Sequence, residues 1–537
     1  MKQKTKRAAS VLAAAALCAV SLMSGGCAKK NQTTSGNTVE YPADGVYPMK
    51  CDDTLSMWIE LNATMSTLVS NFGETEIAQQ LEKETGVKIE YMHPAAGSAA
   101  EQFNLLLTSD DMPDIMAGNW YTYGGQKALD EGILVCLNDV MDKWAPNYQK
   151  VLADMPNVDS MLKTDSGKYY SFGFIREDKA LGVYAGPILR ADWLKKLNLE
   201  VPETIDEWET MLTAFKDQLH VESPLMVAQN ANAFTAGFLC GAYGVTDTFY
   251  LDNGKVKYGP VQDGYKEFVQ RMKKWYDAGL LDKNFSGADV KILESAMLNG
   301  KTGASYQLAG GGMGTWLRTA KANGDNELDL VGAPYPVLNK GDRPQLSQMD
   351  WQYTPLRSWG ITKSCKNVEL ATRFLDYGYS DKGYMLYNYG TEGVTYEMKD
   401  GKPVFTDFTL HNPDGKTISE ILSRYAETTS SAPSLQSPEV VSITREFPQQ
   451  NAAIDTWKET DMEKHAIPMI NFTPEEQQEL GTIVTDLQTY QAEMFYGFVM
   501  GTEDLGSWDE YLSRMDQIGA SKAVEIYQKA VDRYIKR

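Results

Sequence analysis

Histidine is nearly missing from this 537-residue chain, with four in all, and no pair of them has the spacing of a zinc site. Cysteine is scarce too. Of six, Cys18 and Cys27 fall at the N-terminal end, and Cys51, Cys136, Cys240 and Cys365 stand too far apart for a CxxC metal or redox motif. Those four allow three pairings, and no spacing selects one. Cys136 lies in the apolar stretch 133–137 and reads as a buried free thiol. No GxSxG, HExxH, Walker loop or dinucleotide fingerprint occurs, and the glycine run 310–314 lacks the Lys-Ser/Thr a phosphate loop needs. Basic residues are outnumbered 51 to 72, for a formal charge of −21. An acidic surface repels phosphate backbones, so nucleic acid is not expected as a partner. After residue 26 no apolar run is long enough to cross a bilayer.

What is present begins at the N-terminus. Lys2, Lys4, Lys6 and Arg7 precede the apolar run 8–23, and Ser24-Gly25-Gly26-Cys27 follows. This is a secretory signal, residues 1–26, ending in a lipobox whose Cys27 thiol carries diacylglycerol. Ser24 stands where such boxes most often have Leu. Cleavage removes four positive charges and no negative ones, which takes the formal charge from −21 to −25. Residues 28–40 are small and polar and form a tether, so 27–50 links lipid to the folded chain at the outer face of the cell membrane.

Alternating Leu55, Met57 and Ile59 predict a first strand, followed by a helix over about 74–85 that ends at Gly86 and a strand at 87–91. A helix over 99–108, a short strand before Gly118, a helix around Ala128 and a strand at 132–137 continue the alternation, which implies a mainly parallel sheet covered by helices. A second lobe is expected to start near Tyr170. Thr204 and Glu207 make a capping box ahead of the stripe Ile205, Trp208, Met211, Leu212 and Phe215. Thr473-Pro474-Glu475-Glu476 repeats that signal, with Leu480, Ile483, Val484, Leu487, Tyr490 and Met494 on one face. Trp208 and Trp275 are assigned to packing.

Aromatic residues cluster where loops should be. Trp120, Tyr121 and Tyr123 follow a strand, Trp316 follows the glycine run, Trp351 and Tyr353 are neighbours, and Trp359 precedes a glycine. Loops at the carboxyl ends of parallel strands line the ligand crevice. An aromatic face there stacks on a sugar ring while amides and carboxylates bond its hydroxyls.

Segments spread along the chain carry a resemblance: LTSDDMPDI at 107–115, LRADWLKKL at 189–197, VPETIDEW at 201–208, YNYGTEGVTY at 387–396 and TPEE at 473–476. In order and spacing they resemble the extracellular solute-binding lipoproteins of sugar ABC importers, in particular the large members for aldouronate-type oligosaccharides. The resemblance implies an α/β, two-lobe periplasmic-binding-protein-like fold (type II) with hinge and interlobe cleft, and a monomer without enzymatic activity or cofactor. It implies an oligosaccharide ligand and permease subunits as partners. By the same resemblance the N lobe spans 50–172 and 360–396, the C lobe 173–359 and 397–537, with hinges near 171–175, 358–362 and just after Tyr396. Glu60, Asn62, the Asn119–Tyr123 loop and the Tyr306–Trp316 region would face the cleft. A uronic acid ligand would need a basic group, for which Arg190, Arg318 and Arg357 are available. Members of the group often place a calcium loop after the PETIDE helix; residues 214–224 lack its alternating oxygen ligands, so no metal is expected there. Two other classes remain: a secreted carbohydrate-active enzyme, marked by release of reducing ends, and a peptide-receptor lipoprotein of the same architecture.

Overall fold

The structure, a computed structural model, describes residues 46–537 apart from residue 110, residues 428–431 and the side chain of Asn230. The signal segment, Cys27 and the 28–40 tether lie outside the described residues.

Two sheets organise the chain. The first runs in the order Leu435–Gln436, Phe172–Arg176, Tyr353–Ile361, Ile115–Gly118, Thr54–Trp58, Lys88–Met92. Thr54–Trp58 pairs in parallel with both Lys88–Met92 and Ile115–Gly118, while Tyr353–Ile361 enters antiparallel. The second has Ala185–Arg190 between Ala304–Leu308 and Leu330–Gly332, both antiparallel, with Leu225 adding a parallel bridge to Ala304.

Local signals explain the elements that flank the first sheet. Leu55 and Met57 bury one face of the opening strand, as the alternation requires. The helix Glu76–Thr85 starts where the Thr75 side chain accepts from the Ala78 N–H, and stops at Gly86 with φ 74°. Gly86 is also needed for space, because a Cβ there would lie 1.9 Å from the Met49 carbonyl oxygen. The strand expected at 132–137 shrinks to a single bridge, Leu134 with Thr362, and a 3-10 turn at Leu137–Asp139. The Leu137 N–H bonds the Tyr169 carbonyl at 3.0 Å, which draws the chain off the ladder.

Packing draws the lobes differently from the expected boundaries. One cluster joins Trp208, Phe215, Trp275, Tyr306, Trp316 and Trp457 with Phe495 and Phe498. Other clusters gather Met57, Ile115, Tyr148, Phe172, Tyr353 and Trp359 around the first sheet, and Trp58, Phe103, Trp120 and Tyr170 beside it. Tyr170 and the strand after it therefore pack with the first lobe, and the change of partner comes after Arg176. The segment after Tyr396 does not return to the second lobe either. Tyr389 and Tyr396 share a cluster with Phe405, Leu422 and Val440, and Arg424 pairs with Glu76 at 2.7 Å, so the described residues of 397–443 pack with the first lobe. The hairpin Tyr396–Lys399 with Lys402–Phe405 turns that stretch back on its own apolar residues. Cys51, Cys136, Cys240 and Cys365 are free thiols, and Cys136 is half-buried rather than buried.

A buried carboxyl ties two helices of the first lobe. Asp376 accepts from the Tyr148 N–H at 2.8 Å and the Asn147 amide at 2.7 Å, at the start of the helix Pro146–Asp154. Burial nevertheless pushes its pKa up to about 7. The folded chain thus binds this proton between about pH 4 and 7, where the unfolded chain has released it. Its contribution to stability is greatest at the acid end and falls as pH rises through that window. We expect Asp376→Asn to flatten this dependence, gaining on the wild type from pH 4.5 to 7.5 in urea unfolding; parallel curves would refute it.

Candidate functional site

The carboxyl ends of the two parallel strands Thr54–Trp58 and Ile115–Gly118 reach the same edge of the first sheet. Glu60 lies just past one of them and accepts from the Arg357 guanidinium at 3.1 Å. The Asn62 side-chain oxygen accepts from the Met65 N–H at 2.8 Å, ahead of a short helix, and Asn119 caps another by accepting from the Thr122 N–H at 3.0 Å. The Asn119 cap starts the turn Trp120–Tyr123 and thereby divides its aromatics. Tyr121 is half-buried against the first lobe's core and donates to the Ile470 carbonyl at 2.5 Å. Tyr123 donates to Glu131 at 2.5 Å, with the Lys127 ammonium 4.3 Å from its ring centre.

Most of the other expected contact residues are core. Trp120 is 0% exposed: its ring packs on Phe103 at 4.8 Å between centroids and its indole N–H donates to the Met116 carbonyl at 2.9 Å. Trp359 and Tyr353 lie near the two ends of the strand Tyr353–Ile361, and both are buried. Trp316 is buried in the first turn of the helix Thr315–Ala322. Tyr306 packs against Phe238, tilted, at 5.6 Å between ring centroids inside the second lobe. Arg190 spends its guanidinium on Asp192, at 2.7 and 2.6 Å, and lies over the Trp193 ring, so it is a packing residue. The aromatic corrections share one cause: large rings carry the greatest apolar area and are drawn into the core. Trp351 is half-buried at the crossing between lobes, where its carbonyl accepts from Arg176. Trp208 and Trp275 are buried, as assigned. Arg318 pairs with Glu446 at 2.6 Å.

A cavity of about 730 Å³ opens beside Tyr121. One wall comes from residues 121–130 and 165–166 of the first lobe. The other is Ile470–Pro474 with the start of the long helix Pro474–Met500, and Tyr527 closes the end. Tyr121, Phe472 and Tyr527 supply apolar faces; Gln126, Asn471 and Gln477 supply amides, and Lys127, Asp130 and Asp165 supply charge. The long helix is held firmly. Its capping box places the Glu476 carboxylate on the Thr473 N–H at 2.9 Å, and Arg533 bonds that carboxylate at 2.8 and 2.5 Å. Arg533 also reaches Asp165 at 2.9 Å, and Arg537 joins it there at 2.6 Å, which pins one side of the cavity across the lobes. Burial would raise the Glu476 carboxyl, but Arg533 and the cap N–H outweigh it and hold the pKa below the usual value.

Two glycines mark the walls, for opposite reasons. Gly125 is required by packing, since a Cβ would lie 2.3 Å from the Tyr170 ring. Gly481 has no such reason. It sits in mid-helix, exposed, and a Cβ there would meet no protein atom within 4 Å. A glycine at that position costs the helix about 1 kcal/mol relative to alanine, and open space beside it allows a ligand to lie close against the backbone. Gln477 and Gly481 were missed by sequence reasoning, although a glycine inside a strongly capped helix, off its apolar stripe, was a legible signal.

Residues 67–385 match the bacterial extracellular solute-binding protein family. The fructooligosaccharide ABC transporter substrate-binding protein FusA of Streptococcus pneumoniae is 25% identical over 99% of both chains. Lipoprotein LipO of Bacillus subtilis is 25% identical over 66% of this chain and 70% of its own. Among solved structures, the alginate-binding protein AlgQ2 without calcium ion is 26% identical with a TM-score of 0.70, covering 89% of this chain and 98% of that one. FusA in complex with kestose has a TM-score of 0.69 at 21% identity, over 90% of this chain and 100% of that one, a likeness of fold. The fold is thus the two-lobe α/β fold of solute-binding proteins. The chain belongs to the bacterial extracellular solute-binding protein family.

Proposed function

We propose that this protein is the extracellular substrate-binding lipoprotein of an ABC importer, capturing an oligosaccharide between its lobes and delivering it to a membrane permease. The observation that carries this reading is the 730 Å³ cavity between the lobes, where Tyr121 and Phe472 face amides and carboxylates. Aromatic faces suit the apolar face of a sugar ring, and the amides suit its hydroxyls. In this reading the lobes are 46–176 with 350–445, and 177–349 with 446–537, joined by three crossings. Closure over the ligand makes occupancy a shape the permease recognises. The names of FusA and AlgQ2 support oligosaccharide as the ligand class, and LipO supports a lipid anchor at Cys27. The anchor keeps the receptor beside its permease and raises the local encounter concentration.

The test is a thermal-unfolding screen against kestose and its longer homologues, alginate and galacturonan oligosaccharides, and a peptide library. We expect at least one oligosaccharide to raise Tm by several degrees at saturating concentration and to be recovered unchanged. A shift with peptides alone would sink the reading, and release of reducing ends would make the protein an enzyme.

A further inference from the structure

The long helix Pro474–Met500 presents one face to more than the large cavity. Gln477, Gly481, Thr485, Gln488, Ala492 and Phe495 recur at three- and four-residue spacing and so share a side of the helix. The first three line the large cavity, and Ala492 and Phe495 line a second, of about 210 Å³, set into the second lobe. Gln488, between them, is exposed. From Gly481 to Ala492 the helix rises about 16 Å, longer than one sugar ring and within reach of a short chain of them.

The floor of the second cavity holds an acid with an unpaired oxygen. Asp247 lines it; its Oδ1 is closed to solvent and has no hydrogen-bond partner among the described residues, while the Thr235 hydroxyl and the residue's own N–H act on the carboxyl from the side. A buried acceptor without a partner is unfavourable, and burial raises this carboxyl's pKa to about 6 against the lowering effect of Thr235 and the backbone N–H. Phe234, Phe285 and Phe495 form an aromatic wall, with Phe234 5.3 Å and Phe285 6.1 Å from Phe495 between ring centroids. Asn232 and Thr235 stand at the exposed rim. A metal ion needs several oxygen ligands, and the cavity supplies a single carboxylate. One acid, rim amide and hydroxyl groups and phenyl faces match a single pyranose or furanose ring.

We propose that this cavity is an end subsite for one sugar residue, with Asp247 accepting its hydroxyl protons, and that the ligand is an extended oligosaccharide lying along the long helix into the large cavity. This rests on the oligosaccharide reading above. The test uses Asp247→Asn, which keeps the shape and exchanges one acceptor oxygen for a donor amide, and Ala492→Leu, which fills the cavity from the helix side. Each is incubated with a mixture of fructo-, alginate and galacturonan oligosaccharides of graded length and read by native mass spectrometry beside the wild type and Gly481→Leu. Both cavity variants are expected to cut the bound fraction at least tenfold, with the Tm of the free protein within a few degrees of wild type. Should both hold the same sugar at wild-type occupancy while Gly481→Leu loses it, the end subsite falls and the import reading stands. Should the wild type itself hold none, the import reading falls and takes the subsite with it.

Discussion

Trp120→Ala is expected to lower the unfolding free energy by about 3–5 kcal/mol, the cost of emptying a buried aromatic site. Its ring lies between Phe103 and Gly360, where a Cβ on residue 360 would already come within 3.0 Å of the indole nitrogen. Collapse around the void is limited, because Trp58, Met116 and Tyr170 belong to the same cluster and are anchored in strands or under them. The loss also strips the Met116 carbonyl of the indole donor. Sugar affinity of the folded fraction, measured at low temperature, should stay within about threefold, since no part of the ring reaches solvent. This reverses what the position of Trp120 beside Tyr121 and Tyr123 implies in the sequence. Urea unfolding and calorimetric titration on one preparation decide it: near-native stability with lost affinity would return Trp120 to the binding surface.

Gly481→Leu should behave in the opposite way. The substitution replaces the poorest ordinary helix former with one of the best and gains about 0.8 kcal/mol in helix propensity. No protein atom stands within 4 Å of the new Cβ, so no strain offsets that gain. The side chain grows instead into the cavity, beside Gln477 and Val484. We expect Tm to rise by a degree or two and oligosaccharide affinity to fall at least tenfold. Unchanged affinity would move the ligand away from this face of the helix. Paired with Trp120→Ala, the result separates residues that hold the fold from residues that meet the ligand.

Much of the architecture was legible in the order of residues. The capping boxes at Thr204–Glu207 and Thr473–Glu476 form as written, because a cap is decided within four residues. The stripe Ile205, Trp208, Met211, Leu212 and Phe215 is buried for the same local reason. The opening strand and its helix follow from two- and 3.6-residue periods that any packed layer must respect. The candidate site was much less legible. Of the aromatics expected to meet a sugar, Tyr121 lines the large cavity, while Trp120, Trp316, Trp359, Tyr306 and Tyr353 lie in the core. A ring serves packing and stacking equally well, and composition does not say which way it points.

The amino-acid sequence by itself determined the capped helices, the opening strand, helix and strand, and the family, each carried by residues close together in the chain or by their order. Tertiary structure alone decided that the described residues of 397–443 pack with the first lobe, that Tyr121 reaches the cavity while Trp120 is fully buried, and that one face of the long helix stays open. Those outcomes rest on contacts such as Tyr121 with Ile470 and Asp165 with Arg533, more than 340 residues apart in sequence. A cavity is the space such distant segments fail to fill, and no local pattern encodes it.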